Sequence, residues 1–187
     1  MELKDKKILL TGGAGFLGSA VFKKLISRGV PEANIMIPQS SEYDLRDKEV
    51  CEKLTKGINV VIHVAGTVGG IGFNKERPAQ VFYDNAAMAL NMIDSSYRNG
   101  AEKFVGIGTV CEYPKFTPLP LKENDLWNGY PEETNASYGL AKKMMLVGTQ
   151  AYRQQYGFNG IHLLMINLYG PRDHFDLENS YVIRALL

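Results

Sequence analysis

Short apolar runs alternate with helix-length amphipathic segments along this chain, and that alternation predicts a parallel sheet covered by helices. Residues 7–11 read as a first strand and 15–28 as a helix that exits at Gly29. Residues 34–37 read as a second strand, stopped by Pro38. Residues 59–64 form a nearly continuous apolar run, as expected of a strand buried on both faces. A long helix is predicted over 78–99, with Pro78 suited to its first turn and Gly100 to its exit. A strand over 103–108, a second long helix over 136–156 and a strand over 160–167 follow. Between them, residues 114–134 are rich in Pro, Glu and Asn, and a loop that long in a compact domain points to function. The expected fold class is α/β, a doubly wound parallel sheet.

Composition narrows the function classes. The 187 residues suit one domain with a substantial core, and 45% hydrophobic with 22% charged residues is an ordinary globular balance. A net charge of +1 gives no electrostatic case for nucleic acid or an anionic membrane as partner. No apolar run approaches the roughly 20 residues that span a bilayer. The charged lead from Glu2 to Lys7 does not resemble a signal peptide, so the cytoplasm is the expected location. Cys51 and Cys111 make neither a disulfide framework nor a CxxC metal site, and no metal is expected. The apolar segment begun at Ser180 stops at Leu187 without a cap. A substrate-binding part is therefore expected to lie mostly beyond residue 187, leaving 1–187 as a dinucleotide-binding domain.

The chemistry begins at Thr11-Gly12-Gly13-Ala14-Gly15-Phe16-Leu17-Gly18, between the first strand and the first helix. Glycines there allow a tight turn and bring a pyrophosphate close to backbone N–H groups at a helix N-terminus, a Rossmann-like arrangement. Gly12, Gly15, Phe16, Leu17 and Gly18 are the expected cofactor contacts. After the second strand stands Ile37-Pro38-Gln39-Ser40-Ser41, with neither the acidic residue that grips NAD ribose nor an Arg for the NADP phosphate. Ser40 is a candidate phosphate contact, and the missing carboxylate favours NADP while leaving NAD open. Ala65 and Gly66 are small enough to let a cofactor lie over the sheet edge. His63 reads as a satisfied core histidine and Asn85 as a residue that ties backbone.

Tyr138 and Lys142 lie four residues apart, so on a helix their side chains leave one face a turn apart. A Lys ammonium beside a phenol favours tyrosinate and so yields a proton donor and acceptor for carbonyl chemistry. Thr109, closing a strand, is placed to donate a hydrogen bond to a substrate carbonyl. Cys111 reads either as inert packing or as a proton-abstracting thiolate.

Gly12, Gly15 and Gly18 with Thr109 and Tyr138-x-x-x-Lys142 resemble the extended short-chain dehydrogenase/reductase family over essentially the whole chain. Val68-Gly69-Gly70-Ile71, Cys111-Glu112-Tyr113-Pro114-Lys115 and Asn167-Leu168-Tyr169-Gly170-Pro171 narrow the resemblance to its GDP-4-keto-6-deoxy-sugar epimerase/reductases. The resemblance implies a nucleotide-diphosphate sugar as substrate, NADP as cofactor and a homodimer packed through the two long helices. By the same carry-over Thr109 and Tyr138 hold the C4 oxygen, Lys142 tunes Tyr138 and binds the nicotinamide ribose, Cys111 is the epimerisation base and Asn167 binds substrate. The chain departs from the family at Ser180-Tyr181-Val182, where a His is the acid that reprotonates the opposite face, so Tyr181 is the candidate acid and His174 a conceivable substitute. Other nucleotide-sugar reductases, epimerases or dehydratases remain alternatives, although Val110-Cys111 replaces the Asp-Glu of a 4,6-dehydratase. A cofactor-binding but catalytically silent regulator is a third reading.

Overall fold

The structure is a computed structural model, described here for residues 1–170. In chain order it contains β1 (Ile8–Thr11), α1 (Phe16–Ser27), β2 (Ile35–Met36), α2 (Lys48–Thr55) and β3 (Val60–His63). These are followed by α3 (Ile71–Glu76), α4 (Pro78–Arg98), β4 (Lys103–Thr109), α5 (Ala136–Tyr156) and β5 (Gly160–Met165). The strands form one five-stranded sheet in the order β2-β1-β3-β4-β5. Every pairing is parallel, with Thr11 opposite His63 and Thr109 opposite Met165. The chain therefore reverses direction of travel across the sheet between β1 and β3, and ligands of such sheets bind outside the carboxyl ends of the strands at that point.

Alternate strand residues face opposite sides, which separates two apolar clusters. Leu9, Val61 and Phe104 pack with Met92 and Ile93 of α4 and Met145 of α5. Ile8 and Val60 pack with Leu25 of α1 on the other face. Helices thus cover both faces, as the unbroken apolar strands required.

Two helices were not expected. α2 is short and charged, but Cys51 and Leu54 turn inward and Asp47 caps it by accepting the Glu49 N–H at 2.8 Å. α3 has six residues, too few for periodicity to show. Boundaries also shift. β2 keeps two residues of the expected four, α1 begins after Gly15 and ends at Ser27, and β5 ends at Met165 rather than at 167. The candidates Tyr181 and His174 lie outside the described residues.

Phe104 is fully buried on β4, among the largest side chains of the core. Phe104→Ala should lower the free energy of unfolding by about 3–5 kcal/mol in urea titration. A loss below about 1 kcal/mol would contradict this placement of the core.

Candidate active site

A cleft of about 940 Å³ runs along the carboxyl end of the sheet. At one end lie Gly12, Gly15, Phe16, Leu17 and Gly18, with Ser40 beyond them. Ala65 and Gly66 lie along its floor, and Thr109, Cys111, Tyr138, Lys142 and Asn167 line the other end. Every described candidate residue therefore meets in one place, although Gly12 and Asn167 lie 155 positions apart in the sequence.

The glycine turn is shaped by contact. Gly12 has φ +69°, and a Cβ there would sit 2.7 Å from the backbone nitrogen of Ala65, at the end of β3. Such a position admits only glycine without displacing the strand end. Gly15 starts α1 with no side-chain cap, so the helix offers its N-terminal amides and positive dipole end at Phe16 and Leu17, beside the cleft. Thr11 holds the arrangement from beneath: its Oγ1 lies 2.8 Å from His63 Nδ1 and accepts the Ala65 N–H at 3.3 Å. His63 is buried, and burial together with the nearby Lys142 charge pushes its pKa down to about 3. A neutral imidazole bonded to Thr11 is a core histidine, as the sequence suggested.

Asn85 also does what was expected of it. Its Oδ1 accepts the Thr67 N–H at 3.1 Å while its Nδ2 donates to the Thr67 and Val81 carbonyls at 2.9 and 2.7 Å. This fixes the strand-end segment Ala65-Gly66-Thr67. A Cβ on Gly66 would lie 3.4 Å from Lys142 Nζ, so the ammonium reaches the cleft floor just beneath Gly66.

Thr109 ends β4 and caps the short 3-10 turn Val110–Glu112: its Oγ1 accepts the Cys111 N–H at 3.2 Å. α5 rests directly on that turn at Gly139, where a Cβ would collide with the Cys111 carbonyl. The adjacent Tyr138 and, one turn on, Lys142 are thereby brought to Thr109 and Cys111. Lys142 Nζ lies 5.8 Å from the Tyr138 ring centroid. Burial lowers the Lys142 pKa to about 8, opposed by the negative charge of Glu112. Burial pushes the Cys111 thiol up, opposed by its hydrogen bond with Thr109 and reinforced by the Glu112 and Glu132 charges. The thiol reading of Cys111 is therefore the resting one near neutrality.

Sequence reasoning missed three features of the site. Asp44 and Arg46 line the cleft beside Ser40, although no charged residue directly follows β2. Arg46 pairs with Asp44 at 2.7 Å and with the buried Asp84 of α4 at 3.0 Å, bridging the cleft wall. The signal was Asp44-Leu45-Arg46-Asp47 immediately before the overlooked α2. The loop 114–134 is pinned to α5: Lys143 Nζ donates to the Leu126 carbonyl at 2.6 Å and sits 5.0 Å from the Trp127 ring centroid. Glu112 is wholly buried against His162, a pairing that only strand register reveals.

A glycine turn seated on a strand end, an uncapped helix N-terminus and a cleft of this volume fit an NAD(P)-type dinucleotide. Gly12, Gly15, Phe16 and Leu17 would hold its pyrophosphate, and Lys142 its nicotinamide ribose.

Comparison with known proteins agrees with this geometry. The family described as NAD dependent epimerase/dehydratase matches residues 8–187. A GDP-L-fucose synthase of Sinorhizobium fredii is 40% identical over 187 residues, covering 99% of this chain and 59% of that protein. The GDP-L-fucose synthase of Escherichia coli is 32% identical, covering 99% of this chain and 58% of that protein. Among solved structures, a GDP-mannoheptose C4 reductase of Campylobacter jejuni with NADP bound superimposes with a TM-score of 0.91. It is 31% identical and covers 98% of this chain and 54% of its own. The chain thus spans about three-fifths of the length of the curated relatives it matches. The chain belongs to the NAD dependent epimerase/dehydratase family, the extended short-chain dehydrogenases/reductases that its glycine turn and Tyr138/Lys142 spacing resemble.

Proposed function

We propose that this chain carries the cofactor-binding and catalytic part of an NADPH-dependent nucleotide-sugar epimerase/reductase, converting GDP-4-keto-6-deoxy-D-mannose to GDP-L-fucose. The observation that carries this reading is the convergence of Thr109, Cys111, Tyr138 and Lys142 on the cleft that begins at the glycine turn. The names of the relatives support the GDP-sugar, and the NADP-bound structure supports the cofactor. Bound NADPH would supply the reducing equivalents at C4.

The chain's own residues handle oxygen and protons. Thr109 and Tyr138 hold the C4 oxygen, and hydrogen bonds there stabilise the negative charge of an enolate. The C4 ketone acidifies the hydrogens on C3 and C5, which lets a weak base act; Cys111 is that base and Tyr181 the opposing acid. Tyr138 then protonates the C4 oxygen as the ketone becomes an alcohol, with Lys142 stabilising the tyrosinate left behind. Asn167, at the cleft rim, orients the sugar. A homodimer is supported by α4 and α5, which expose Tyr83, Leu90 and Val147 for a second copy to cover.

A second reading is C4 reduction without epimerisation. The raised Cys111 thiol, the Tyr181 replacement and the likeness to a heptose C4 reductase favour it.

Incubating the protein with GDP-4-keto-6-deoxy-D-mannose and NADPH, then identifying the sugar by NMR, separates these readings. GDP-L-fucose supports the first, and a C4 alcohol with C3 and C5 unchanged supports the second. No oxidation of NADPH overturns both. Tyr138→Phe should cut turnover about a hundredfold or more, and unchanged turnover would remove its assignment. Because the Lys142 pKa is lowered to about 8, its cation is complete well below that pH and lost as pH rises through it. Turnover should therefore fall above about pH 8, whereas a profile level to pH 10 would contradict the role of the ammonium.

A further inference from the structure

Glu112 and His162 form a buried ionisable pair directly behind the reactive face of the cleft. Glu112 has no exposed surface, and the His162 side chain is 2% exposed. Glu112 Oε1 accepts the backbone N–H of Thr109 at 2.8 Å. His162 Nε2 lies 2.9 and 3.1 Å from the two carboxylate oxygens, and against a carboxylate it serves as the donor.

The geometry couples this pair to the site in three ways. Thr109 caps the turn while Glu112 reaches back to the Thr109 N–H, so the two residues lock each other reciprocally around Cys111. His162 comes from β5, opposite Gly106 of β4, and a Cβ on Gly108 would strike both its ring and the Glu112 carboxylate. The strand end is thus built with room for the pair. Third, the carboxylate acts on the first turns of α5, where its charge raises the pKa of both Lys142 and Lys143 against their burial. Glu132 from the loop also acts on Cys111, and the Glu112 charge also raises the neighbouring Tyr113 phenol.

Burying a carboxylate is costly unless it is hydrogen-bonded and compensated. Here it has a backbone donor, an imidazole and two ammonium groups around it. The turn could have been capped without a buried acid and an imidazole drawn from another strand. The cost is explained when the charge and the rigidity serve the site.

We propose that Glu112, pinned by His162, is a positioning residue that fixes Thr109 and Cys111 at the end of β4 and holds a negative charge under the Tyr138/Lys142 turn of α5. The role rests on the enzymatic reading above; the geometry and charge of the pair do not. His162 contributes the pin rather than any contact with substrate, and Glu112 acts through Thr109, Cys111 and Lys142.

Two sets of variants test the proposal. Glu112→Gln keeps an acceptor for the Thr109 N–H and removes the charge. The readout is the pH dependence of Cys111 alkylation by iodoacetamide, followed by peptide mass spectrometry; Cys51 is fully buried and separately mapped. The alkylation midpoint should move to lower pH, because the thiolate loses a negative neighbour. An unmoved midpoint overturns the electrostatic half of the proposal. His162→Ala unpins the carboxylate and should lower kcat about tenfold to hundredfold with the KM for NADPH little changed. His162→Gln, whose amide can still donate to Glu112, should recover most of that loss. His162→Ala turnover equal to the unaltered protein overturns the positioning half, as does a failure of His162→Gln to recover more than His162→Ala. The His162 variants decide the matter if Glu112→Gln does not fold. If the unaltered protein itself shows no turnover, the enzymatic reading fails, and the alkylation result alone decides whether Glu112 holds its charge at Cys111.

Discussion

The seating of α5 on the turn that follows β4 is the contact from which the rest of the site derives. Gly139 permits it: a Cβ at that position would lie 2.8 Å from the Cys111 carbonyl carbon, inside the contact distance of any real side chain. With the helix that close, Tyr138 and Lys142 project over the strand end that carries Thr109, and Lys142 reaches the cleft floor under Gly66. A helix displaced outward by one methyl group would carry Tyr138 and Lys142 away from the end of β4. The parallel sheet supplies the other half of the cleft, because the change of direction between β1 and β3 opens a crevice into which the glycine turn fits.

Charge follows from that packing. Lys142 is almost fully buried, so its ammonium is weakened, and the carboxylate of Glu112 restores part of the loss. His63, buried nearer the glycine turn, has both burial and the Lys142 charge acting against protonation and stays neutral. Burial lowers both bases, but the amine starts about four units above the imidazole, so near neutrality Lys142 keeps its proton and His63 does not. The same burial that holds Lys142 in reach of Tyr138 makes Cys111 a reluctant thiolate, which sets reduction as the better-equipped half of the proposed chemistry.

Much of this was legible in the sequence. The spacing of Tyr138 and Lys142 states their relation because helical geometry fixes it locally. The glycine turn was legible for the same reason, since one short segment contains the strand end, the turn and the helix start. His63 and Asn85 were read as core and backbone-tying residues, and both are. The departures come from relations that are not local. α2 was hidden because its eight residues carry two inward apolar side chains amid charge, and with it went Asp44 and Arg46. Glu112 and His162 are 50 residues apart and meet only because β4 and β5 pair in register. The loop 114–134 was read as functional, but its anchoring was not legible because Lys143, which holds Leu126 and Trp127, lies on α5.

The seating of α5 is open to a direct test. Gly139→Ala should favour the helix itself by about 1 kcal/mol, since alanine is the better helix former, so any loss reports the contact rather than the helix. Helical circular dichroism should equal that of the unaltered protein, with turnover reduced about tenfold to hundredfold. Full turnover by Gly139→Ala would contradict it, because the approach of α5 to the Cys111 turn would then not be what assembles the site.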